Sequence, residues 1–409
     1  MQPYIKTNGL PRLVWVFPGD LSTTLDAATW LSTTDELRSL GWQVDLLTFG
    51  KNGRHHISGV EVFGFAIPDY YFIRHVFFHA CVLFHLLWNW GSVDVVLFHQ
   101  ASAIWLLPLR LLTPFTRRHP LFAMDSRTVP MESLERATFK DKIRGKFSFL
   151  MNRLANGLAD GQTAITHRMA NLLCIPPERL WGVWSSGVNP QKFSVAASSR
   201  HWPLATEPIR LVYIGNLAHE RNLMMLCRAI MEANQRGAHF SMLLYGDGTG
   251  KQELQIFAGQ TQEKIKVFEP VPHDQVPDIL SRAHVGVLPF PDEDKFRVSS
   301  PIKLFEYMGA GLPVLATKIV CHTDVIGDGD YVFWAENAGM DGMLGALEKT
   351  WQARDRLPDL GWKAQSAAQN WTYVESAKKL RNALQYGLVL HWVDKKRDAL
   401  PPVEGAVNK

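Results

Sequence analysis

One stretch of the chain, residues 299–314, combines residue types that can hold a nucleotide. A turn of small residues, Ser299 to Pro301, leads into a short amphipathic helix that carries Lys303 and Glu306. Backbone N–H groups at a helix N-terminus, with its partial positive charge, form a site for phosphate. One turn further on, a carboxylate such as Glu306 can accept hydrogen bonds from a ribose diol. The spacing therefore favours a segment that holds both the diphosphate and the ribose, and the alternative is an ordinary loop–helix–strand connection.

This stretch resembles the donor-binding segment of the retaining, nucleotide-sugar-dependent glycosyltransferases with the GT-B fold (family 4, or glycosyl transferases group 1). In the subgroup that it resembles, the segment reads Ser-Pro-x-Lys-Leu-Phe-Glu-Tyr-Met-Ala-x-Gly-x-Pro-Val, and only Gly309 departs, standing where Ala is usual. The resemblance implies a catalytic role for Lys303. It also implies a set of donor contacts, namely Ser299, Ser300, Pro301, Ile302, Leu304 and Glu306.

A second part of the resemblance follows the strand predicted at 209–214. Relatives often carry Gly-Arg and then Lys-Gly here, two cations that grip the donor diphosphate. In this chain Gly215 is followed by Asn216, so the first cation is missing, and Arg221 stands at the second cationic position. Because a guanidinium can bind two phosphate oxygens at once, we expect Arg221 to neutralise the diphosphate. The alternative is a solvated charge at the start of a helix.

Two further turns in the second half match the family's donor site. Gly246 begins a Gly-Asp-Gly strand end, where the backbone lets the nucleotide approach, and Val271 begins the loop whose main chain usually reads the edge of the base. The clearest departure is Val298, because many relatives carry there a glutamate that contacts the donor sugar. We therefore expect sugar contacts from the backbone of residues 298–300 or from the acidic residues 292–294.

The first half offers weaker matches. Gly19 and Asp20 stand where relatives carry a glycine-rich loop that touches the diphosphate and the acceptor, and only one glycine of the usual pair remains. His99 aligns with a histidine that relatives point at the donor sugar, which implies a catalytic role. Asp125 and Arg127 follow another strand and are assigned to acceptor binding. A structural histidine and a structural ion pair are the alternatives.

Neither a metal nor a cofactor is expected. The acidic runs 292–294 and 328–330 could offer oxygen ligands to a divalent cation. In the GT-B fold, however, the diphosphate charge is handled by cations and a helix dipole, so both runs are interpreted as loop acids. The sequence has no zinc spacing, no Walker loop and no Ser-His-Asp arrangement.

The predicted activity is therefore retaining transfer of a sugar from a nucleoside diphosphate sugar, with UDP favoured, to a saccharide or lipid-linked saccharide. One alternative is a GT-B scaffold that binds nucleotide or glycan without transfer. A dinucleotide-dependent oxidoreductase is less favoured. It requires a Gly-x-Gly-x-x-Gly turn after a first strand, and neither Gly19 nor Gly215 begins one.

The ends of parallel strands must position these residues. Apolar runs alternate with helical patterns, which predicts an α/β fold with doubly wound parallel sheets. In the first half the expected strands are Leu13–Phe17, Val44–Phe49, Val93–Phe98, Leu121–Met124 and Gly161–Thr166, with a turn at Pro18–Asp20. In the second half they are Ile209–Ile214, Ser241–Tyr245, Lys264–Phe268, Val285–Pro289 and Val314–Ala316. The resemblance implies the GT-B layout, two Rossmann-like domains that face each other across a cleft.

A chain of 409 residues suits two domains. We predict an acceptor-side domain over residues 1–200 and a nucleotide-sugar domain over 205–373, with a linker candidate at Ser194–Pro208. A last helix at about 374–390 is expected to pack back on the first domain, and 391–409 is predicted to be a polar tail.

Charge and cysteine content bound the partners and the location. The net charge of +4 is too mild to favour nucleic acid as a partner. The four cysteines are scattered and the N-terminus lacks the apolar stretch of a signal peptide. A cytoplasmic location is therefore expected.

One helix could meet a membrane surface. Tyr70–Trp90 is dense in aromatic residues, but it contains Arg74 and three histidines, which are costly inside a bilayer, so it is not predicted to cross one. Basic residues follow it: Arg117, Arg118, Lys140, Lys142, Arg144 and Lys146. This combination suits peripheral contact with the cytosolic leaflet. A buried helix with ordinary solvated charges is the alternative.

Overall fold

The computed structural model describes residues 9–24, 27–68, 70–116, 118–129 and 139–398. Among these residues the first sheet has eight strands: β1 (Arg12–Asp20), β2 (Gln43–Phe49), β3 (Gly53–Ile57), β4 (Val60–Phe65), β5 (Val95–His99), β6 (Leu121–Ser126), β7 (Gly161–Ala164) and β8 (Leu180–Val183). The second sheet has six: β9 (Ile209–Ile214), β10 (Phe240–Tyr245), β11 (Ile265–Phe268), β12 (Val285–Leu288), β13 (Val314–Thr317) and β14 (Val332–Ala335).

Helices connect the strands in both halves. Those between the strands of the first sheet are α1 (Ala27–Ser39), α2 (Tyr71–Trp88), α3 (Ala103–Leu106), α4 (Phe139–Leu158) and α5 (His167–Leu172). A 3₁₀ segment, Leu107–Phe115, continues from α3. The remaining helices are α6 (Pro190–Ser198), α7 (Leu223–Gln235), α8 (Lys251–Ala258), α9 (Val276–Ser281), α10 (Asp294–Arg297), α11 (Ile302–Gly309), α12 (Val320–Ile326), α13 (Met340–Gln352), α14 (Leu357–Ala368) and α15 (Tyr373–Asp398).

The first sheet is covered on both faces. Its strand order is β3-β4-β2-β1-β5-β6-β7-β8, and its pairs are parallel except for the antiparallel edge pair β3–β4. Leu13 to Val16 of β1 are fully buried, as expected for a strand with helices on both sides. One face packs on α1 and α15, and the other packs on α2, α3 and α4.

The second sheet has the order β11-β10-β9-β12-β13-β14, with parallel pairs throughout. The direction of winding reverses between β9 and β12, and in the first sheet it reverses between β1 and β5. Ligands of open parallel sheets bind outside the carboxyl ends of the strands at such a reversal. The predicted α/β fold with two doubly wound parallel sheets is thus confirmed, and the loops after these four strands are where a site is expected.

The chain passes between the halves at two adjacent points. Val188 forms a parallel β-bridge with Thr372, and its N–H donates to the carbonyl of Trp371 (2.8 Å). After the second passage, α15 lies against α1 and β8 of the first half. Leu380 and Leu384 are buried in that half's core. The helix ends at Asp398, beyond the predicted end at about 390.

Two local predictions are wrong, and four strands were not predicted. β1 continues through the expected turn to Asp20, because the pairing with β2 shifts between Val16 and Asp20 and resumes opposite Phe49. Proline is tolerated at such an irregularity. The hairpin β3–β4 and the strands β8 and β14 were not expected. Residues 194–198 of the linker candidate belong to helix α6, which begins at Pro190 after the cap Asn189 and buries Phe193.

Some predictions lie outside the described residues. They are Arg117, the side chain of Lys140, and residues 399–409 of the polar tail.

Candidate active site

A cleft of about 700 Å³ opens between the carboxyl ends of the two sheets. One wall comes from the first half, chiefly from Leu21 to Ser32 after β1. The other comes from the turns after β9, β10 and β11 and from helices α6 and α11. Four of the residues predicted to bind or act on the donor line it: Gly215, Gly246, Val271 and Lys303.

Two glycines let the ends of β9 and β10 meet at this wall. Gly246 has φ +147°, and a Cβ built on it would lie 1.8 Å from the carbonyl oxygen of Gly215. Gly215 has φ +148°, and its Cβ would lie 3.2 Å from Cε of Lys303. Both conformations suit glycine alone. The backbone of Gly215 and Gly246 therefore has no side chain between it and the cleft where Lys303 reaches it.

Glu306 is held in its ionised form by two donors. Its side chain is 2% exposed, Lys303 Nζ donates to Oε2 (3.1 Å), and His273 Nε2 donates to Oε1 (2.8 Å). Burial alone would raise the carboxyl pKa. The charge of Lys303 and the hydrogen bond from His273 outweigh burial and lower the pKa of Glu306 to about 2.

A second lysine extends this network. Lys192 of α6 donates from Nζ to Nδ1 of His273 (3.2 Å). An ammonium group only donates and a carboxylate only accepts, so the imidazole carries its hydrogen on Nε2, toward Glu306. Lys192 and His273 both line the cleft. The sequence did not single out Lys192, and it indicated His273 only as part of the loop that begins at Val271.

The start of α11 leaves polar groups available to a ligand. Pro301, the residue that precedes the helix, provides no side-chain cap, and the first turn has no acidic residue. The hydroxyl of Ser300 is buried and has no hydrogen-bond partner among the described residues. Leu304 is buried in the core, so only its backbone can contact a ligand, whereas Ile302 is partly exposed. These features suit an anion at the helix N-terminus.

Close packing fixes α11 on its sheet. A Cβ on Gly286 of β12 would lie 2.4 Å from the ring of Tyr307, so the glycine makes room for this ring. The Tyr307 hydroxyl accepts from the N–H of Ile214, the last residue of β9 (3.3 Å). A Cβ on Gly309 would lie 3.0 Å from Val188, which gives a physical reason for glycine where relatives have alanine.

Arg221 lies beside the cleft wall and is not among the residues that line it. Its guanidinium is 4.9 Å from the ring of Phe290 and 5.2 Å from that of Phe296. Phe296 is close to the α11 turn, because its carbonyl accepts from the hydroxyl of Ser299 (2.8 Å). Burial raises the pKa of Tyr213, and the charge of Arg221 opposes this rise. The Arg221 guanidinium is therefore placed beside two aromatic rings, of which Phe296 belongs to the segment that precedes α11.

Asn216 is exposed at the β9 turn, and its carbonyl accepts from the Tyr213 hydroxyl (3.1 Å). At Val298, where relatives have a sugar-contacting glutamate, the side chain is 5% exposed and packs with Ile165 and Met169 between the two halves. The Val298 carbonyl accepts from the hydroxyl of Thr166 (2.8 Å). The Val298 carbonyl therefore already has a partner within the protein, and sugar contacts from residues 298–300 or 292–294 remain a prediction.

His99 ends β5, beside the reversal of the first sheet. The N–H of Ala101 donates to its Nδ1 (3.2 Å), so the hydrogen of the imidazole is on Nε2. Burial, with a smaller effect from the charge of Arg127, lowers the pKa of His99 to about 4. At neutral pH it is therefore an uncharged N–H donor.

Gly19 and Asp20 shape the first-half wall without lining it. The Asp20 carboxylate accepts from the N–H and the hydroxyl of Ser22 (2.8 and 2.6 Å), and the Gly19 carbonyl accepts from Thr48 (2.6 Å). The side chains that face the cleft come next in the chain, from Ser22 to Thr24. Sequence reasoning missed them because it ended β1 three residues too early.

Asp125 and Arg127 favour the alternative of a structural ion pair. Asp125 is 0% exposed, and its Oδ1 accepts from Thr163 (2.6 Å) and Trp184 (3.1 Å). The Arg127 guanidinium lies 3.7 Å from the centre of the Trp184 ring and 3.9 Å from Asp125 Oδ2. Burial raises the pKa of Asp125. A carboxylate so enclosed cannot reach an acceptor in the cleft.

The acidic runs are engaged with cations. Both oxygens of Asp292 accept from Arg297 (2.7 and 2.8 Å), and Asp330 accepts from Lys363 (2.7 Å). Within the described part of the chain, no group of three His, Cys, Asp or Glu side chains is placed to hold a metal ion.

Part of the sequence is similar to known glycosyltransferases. The family model "Glycosyl transferases group 1" matches residues 208–352. The amylovoran biosynthesis glycosyltransferase AmsK of Erwinia amylovora is 24% identical over 155 residues, which cover 37% of this chain and 37% of that protein. The match thus spans less than half the length of this relative. It supports a relationship to the group 1 glycosyltransferases.

Solved structures share the whole architecture. Sucrose-phosphate synthase from Thermosynechococcus elongatus has a TM-score of 0.70 at 13% identity, covering 94% of this chain and 100% of that one. HepE from Anabaena, solved with UDP and glucose, has a TM-score of 0.66 at 12% identity, covering 91% and 98%. At such identities the likeness concerns the fold, which is GT-B.

Proposed function

We propose that this protein is a retaining glycosyltransferase. It moves a sugar from a nucleoside diphosphate sugar, with UDP favoured, to a saccharide or lipid-linked saccharide acceptor. One observation carries the proposal. The ionised, buried Glu306 lies one turn inside α11 and is paired with Lys303, and Lys303 lines the cleft between the two sheets together with Gly215 and Gly246. This arrangement can take a ribose diol and a diphosphate together.

The related proteins support the choice of substrates. The Erwinia relative is named for amylovoran biosynthesis, and the HepE structure contains UDP and glucose. We extend both features to this chain as proposals, a role in polysaccharide or glycolipid assembly and a preference for UDP-sugars.

The chemistry requires stabilisation of a leaving group. As the bond from the anomeric carbon to the diphosphate oxygen breaks, positive charge spreads over the sugar and the diphosphate becomes more negative. We assign the stabilisation of that negative charge to Lys303, Arg221 and the N–H groups at the start of α11, which has no acidic residue in its first turn. Fixed dipoles and cations that favour the transition state over the ground state raise the rate.

Retention follows if the acceptor attacks from the face that the diphosphate leaves. The acceptor hydroxyl oxygen then forms the new bond to the anomeric carbon, and its proton passes to the departing phosphate oxygen. No protein base is needed for this step. The Nε2–H of His99 is proposed to donate to a hydroxyl of the donor sugar, which would orient it. With cations on the diphosphate, the proposed reaction uses neither a metal nor a cofactor.

The departures at Asn216 and Val298 favour one other function, a GT-B protein that binds the nucleotide sugar without transfer. It would lack one diphosphate cation and the glutamate that contacts the sugar. The presence of Lys303, Arg221 and Glu306 favours a protein that carries out the transfer.

Turnover distinguishes the two. The full chain would be incubated with UDP- and GDP-sugars and with saccharide or lipid-linked acceptors, in buffer containing EDTA. We expect acceptor-dependent release of one nucleoside diphosphate, and a product whose anomeric configuration by NMR matches that of the donor. An inverted product would refute retention. Donor binding without release for any acceptor would support the non-transferring scaffold.

A further inference from the structure

We infer that one face of the first half docks onto an anionic lipid leaflet. This face, called the apolar face below, is the outward side of α2, of residues 103–115 and of α4. Docking through this face is separate from the proposed transfer reaction, because the face lies on the outside of the first half and not in the cleft.

On α2 the solvent-facing side is apolar. Ile73, Phe77, Phe84 and Trp88 are 44, 53, 68 and 81% exposed. Their spacing places them along one side of the helix, while the opposite side buries Phe78 and other core residues. A helix with core on one side and an exposed apolar row on the other is not explained by the fold of the chain alone.

The same pattern recurs on the two neighbouring elements. In 103–115, Ile104, Leu111 and Phe115 are 47, 73 and 86% exposed. On α4, Phe139, Ile143, Phe147 and Leu150 are 78, 52, 38 and 59% exposed, again at helical spacing. Soluble monomers rarely expose apolar rows side by side, and such patches mark interaction sites.

The three elements form one layer. They share a buried core against the same face of the first sheet. The ring of His79 on α2 stacks on Trp105 at 5.3 Å. The Arg110 guanidinium donates to the carbonyl of Leu158, the last residue of α4 (2.6 Å). The exposed rows are therefore adjacent parts of one surface.

The charge of the apolar face indicates an anionic lipid leaflet as its binding partner. Across α2, residues 103–115 and α4, the sequence contains seven Lys and Arg against a single acid, Asp141. Lys142, Lys146 and Arg153 are exposed on α4. Apolar and aromatic rows flanked by cations match a leaflet that contains anionic lipid. A second copy of the chain would bring the same cations face to face, which disfavours self-association through this face.

Topology places this surface beside the cleft. α2 and α4 run back from the carboxyl edge of the parallel sheet, so their first residues lie at the edge where the cleft opens. Most of the lysines and arginines lie in the first turns of α4, near that edge. A lipid-linked acceptor held in the leaflet would therefore enter from the first-half side, an extension that rests on the proposed function.

Vesicle co-sedimentation tests the docking face without donor or acceptor. The full chain would be mixed with vesicles of phosphatidylcholine alone and of phosphatidylcholine with phosphatidylglycerol at three to one, at low and at high salt. We expect binding to the anionic vesicles that weakens with salt. Binding to neither vesicle would overturn the inference.

Two sets of variants localise the contact. The apolar set removes apolar contacts and combines Phe84→Ser, Trp88→Ser and Phe115→Ser. The charge set removes positive charge and combines Lys142→Gln, Lys146→Gln and Arg153→Gln. For the charge set we expect a loss of affinity on the order of 100-fold, and for the apolar set a loss of at least tenfold. Ile256→Ser with Trp362→Ser is the matched control, because these residues are 62 and 67% exposed on the second half.

Three further readouts complete the test. Each variant should keep the parent's melting temperature and its thermal shift with nucleotide, so that a docking defect is separable from a failed fold or a failed donor site. Vesicle binding equal to that of the parent in both sets would overturn the inference. So would a parent dimer that the apolar set converts to a monomer, because the face would then join two copies.

Discussion

At the scale of single residues, the buried carboxylate of Glu306 is the group whose environment constrains function most. Two donors, Lys303 and His273, keep it ionised. A buried acid paired in this way is suited to exchange one partner for the hydroxyls of a ribose. Lys303 can then turn to the diphosphate.

We predict that Glu306→Gln and Lys303→Ala each weaken the binding of the nucleoside diphosphate by at least tenfold. Glutamine at 306 keeps the side-chain volume but loses the negative charge that holds Lys303 and His273 in place. Alanine at 303 removes an ammonium group that we expect to contact a phosphate. Isothermal titration with the preferred nucleotide measures the change. Both variants are expected to remain folded.

A matched pair elsewhere provides the control. Glu375 and Lys378 on α15 form the same three-residue spacing, with Nζ and Oε1 2.7 Å apart, but on the protein surface. Glu375→Gln and Lys378→Ala should leave nucleotide affinity unchanged. If the Glu306 and Lys303 variants also bind as the parent does, the site assignment is wrong.

Lys192 is predicted to be a positioning residue. It holds His273 with the Nε2–H toward Glu306. Lys192→Met should therefore raise KM for the donor several-fold with a smaller change in kcat, and Lys192→Arg should restore part of the loss. Steady-state kinetics at varied donor concentration separates the two parameters. A fall in kcat alone would contradict a role in donor positioning.

The sequence could predict only part of this network. Lys303 and Glu306 are neighbours on one helical turn, so their pairing follows from local spacing. His273 is 33 residues before Glu306, and Lys192 is 81 residues before His273. No pattern in the sequence links positions that tertiary packing brings together. The burial of Asp125 was likewise not readable from its place at a strand end.

At the scale of elements, the meeting of the β9 and β10 turns sets the shape of the donor wall. Gly246→Ala is predicted to destabilise the protein by roughly 1–3 kcal/mol, because a side chain at its positive φ is strained and would overlap the Gly215 carbonyl. Donor affinity should fall with it. Denaturant unfolding and nucleotide titration measure the two effects.

Gly345→Ala provides the contrast. This glycine lies inside α13, where an added Cβ meets nothing within 4 Å. Alanine there should stabilise the protein by up to about 1 kcal/mol and leave donor affinity unchanged. Equal stability of the Gly246→Ala variant and the parent would mean that the two turns do not meet as described.

Most long, apolar elements were predictable, and short or exposed ones were not. β9 was expected at its observed bounds because it is a continuous apolar run between turn residues. β3 carries Arg54, His55 and His56 and gave no strand signal, since it forms by antiparallel pairing with β4 at a sheet edge. α6 was hidden because Ser- and Ala-rich sequence resembles a linker, although Asn189 and Pro190 are helix-start residues.

At the scale of the whole molecule, buried histidines make stability depend on pH. Burial is the largest cause that lowers the pKa of His79 and His322 to about 4 and that of His284 to about 3. The unfolded chain binds these protons near pH 6.5, so it holds more protons than the folded chain between pH 6.5 and 4. The free energy of unfolding should therefore fall as pH falls through this window.

His322→Met tests this prediction. His322 is 0% exposed, and its lowered pKa accounts for a loss on the order of 3 kcal/mol between pH 7 and 4. Denaturant unfolding at several pH values should show a shallower pH dependence in this variant than in the parent. His239→Gln, at an exposed position, should keep the parent's dependence. Identical slopes for His322→Met and the parent would contradict the argument.

The two-sheet layout could be predicted, because apolar strands alternating with helices allow few arrangements. The identity of the acceptor could not be predicted from the sequence. The described first-half residues that line the cleft, where we propose that the acceptor binds, include no charged side chain and no motif that indicates a ligand. No described helix has the length and hydropathy to cross a bilayer.

The most direct test of the central claim is a thermal-shift panel of UDP, GDP, ADP, CMP, NAD and the matching nucleotide sugars on the full chain. A ligand at about 100 times its dissociation constant stabilises the folded state by about 2.7 kcal/mol. We predict that one nucleoside diphosphate and its sugars, with UDP favoured, raise the melting temperature, and that Glu306→Gln abolishes the shift. A shift with NAD alone, or with no nucleotide at all, would contradict the account.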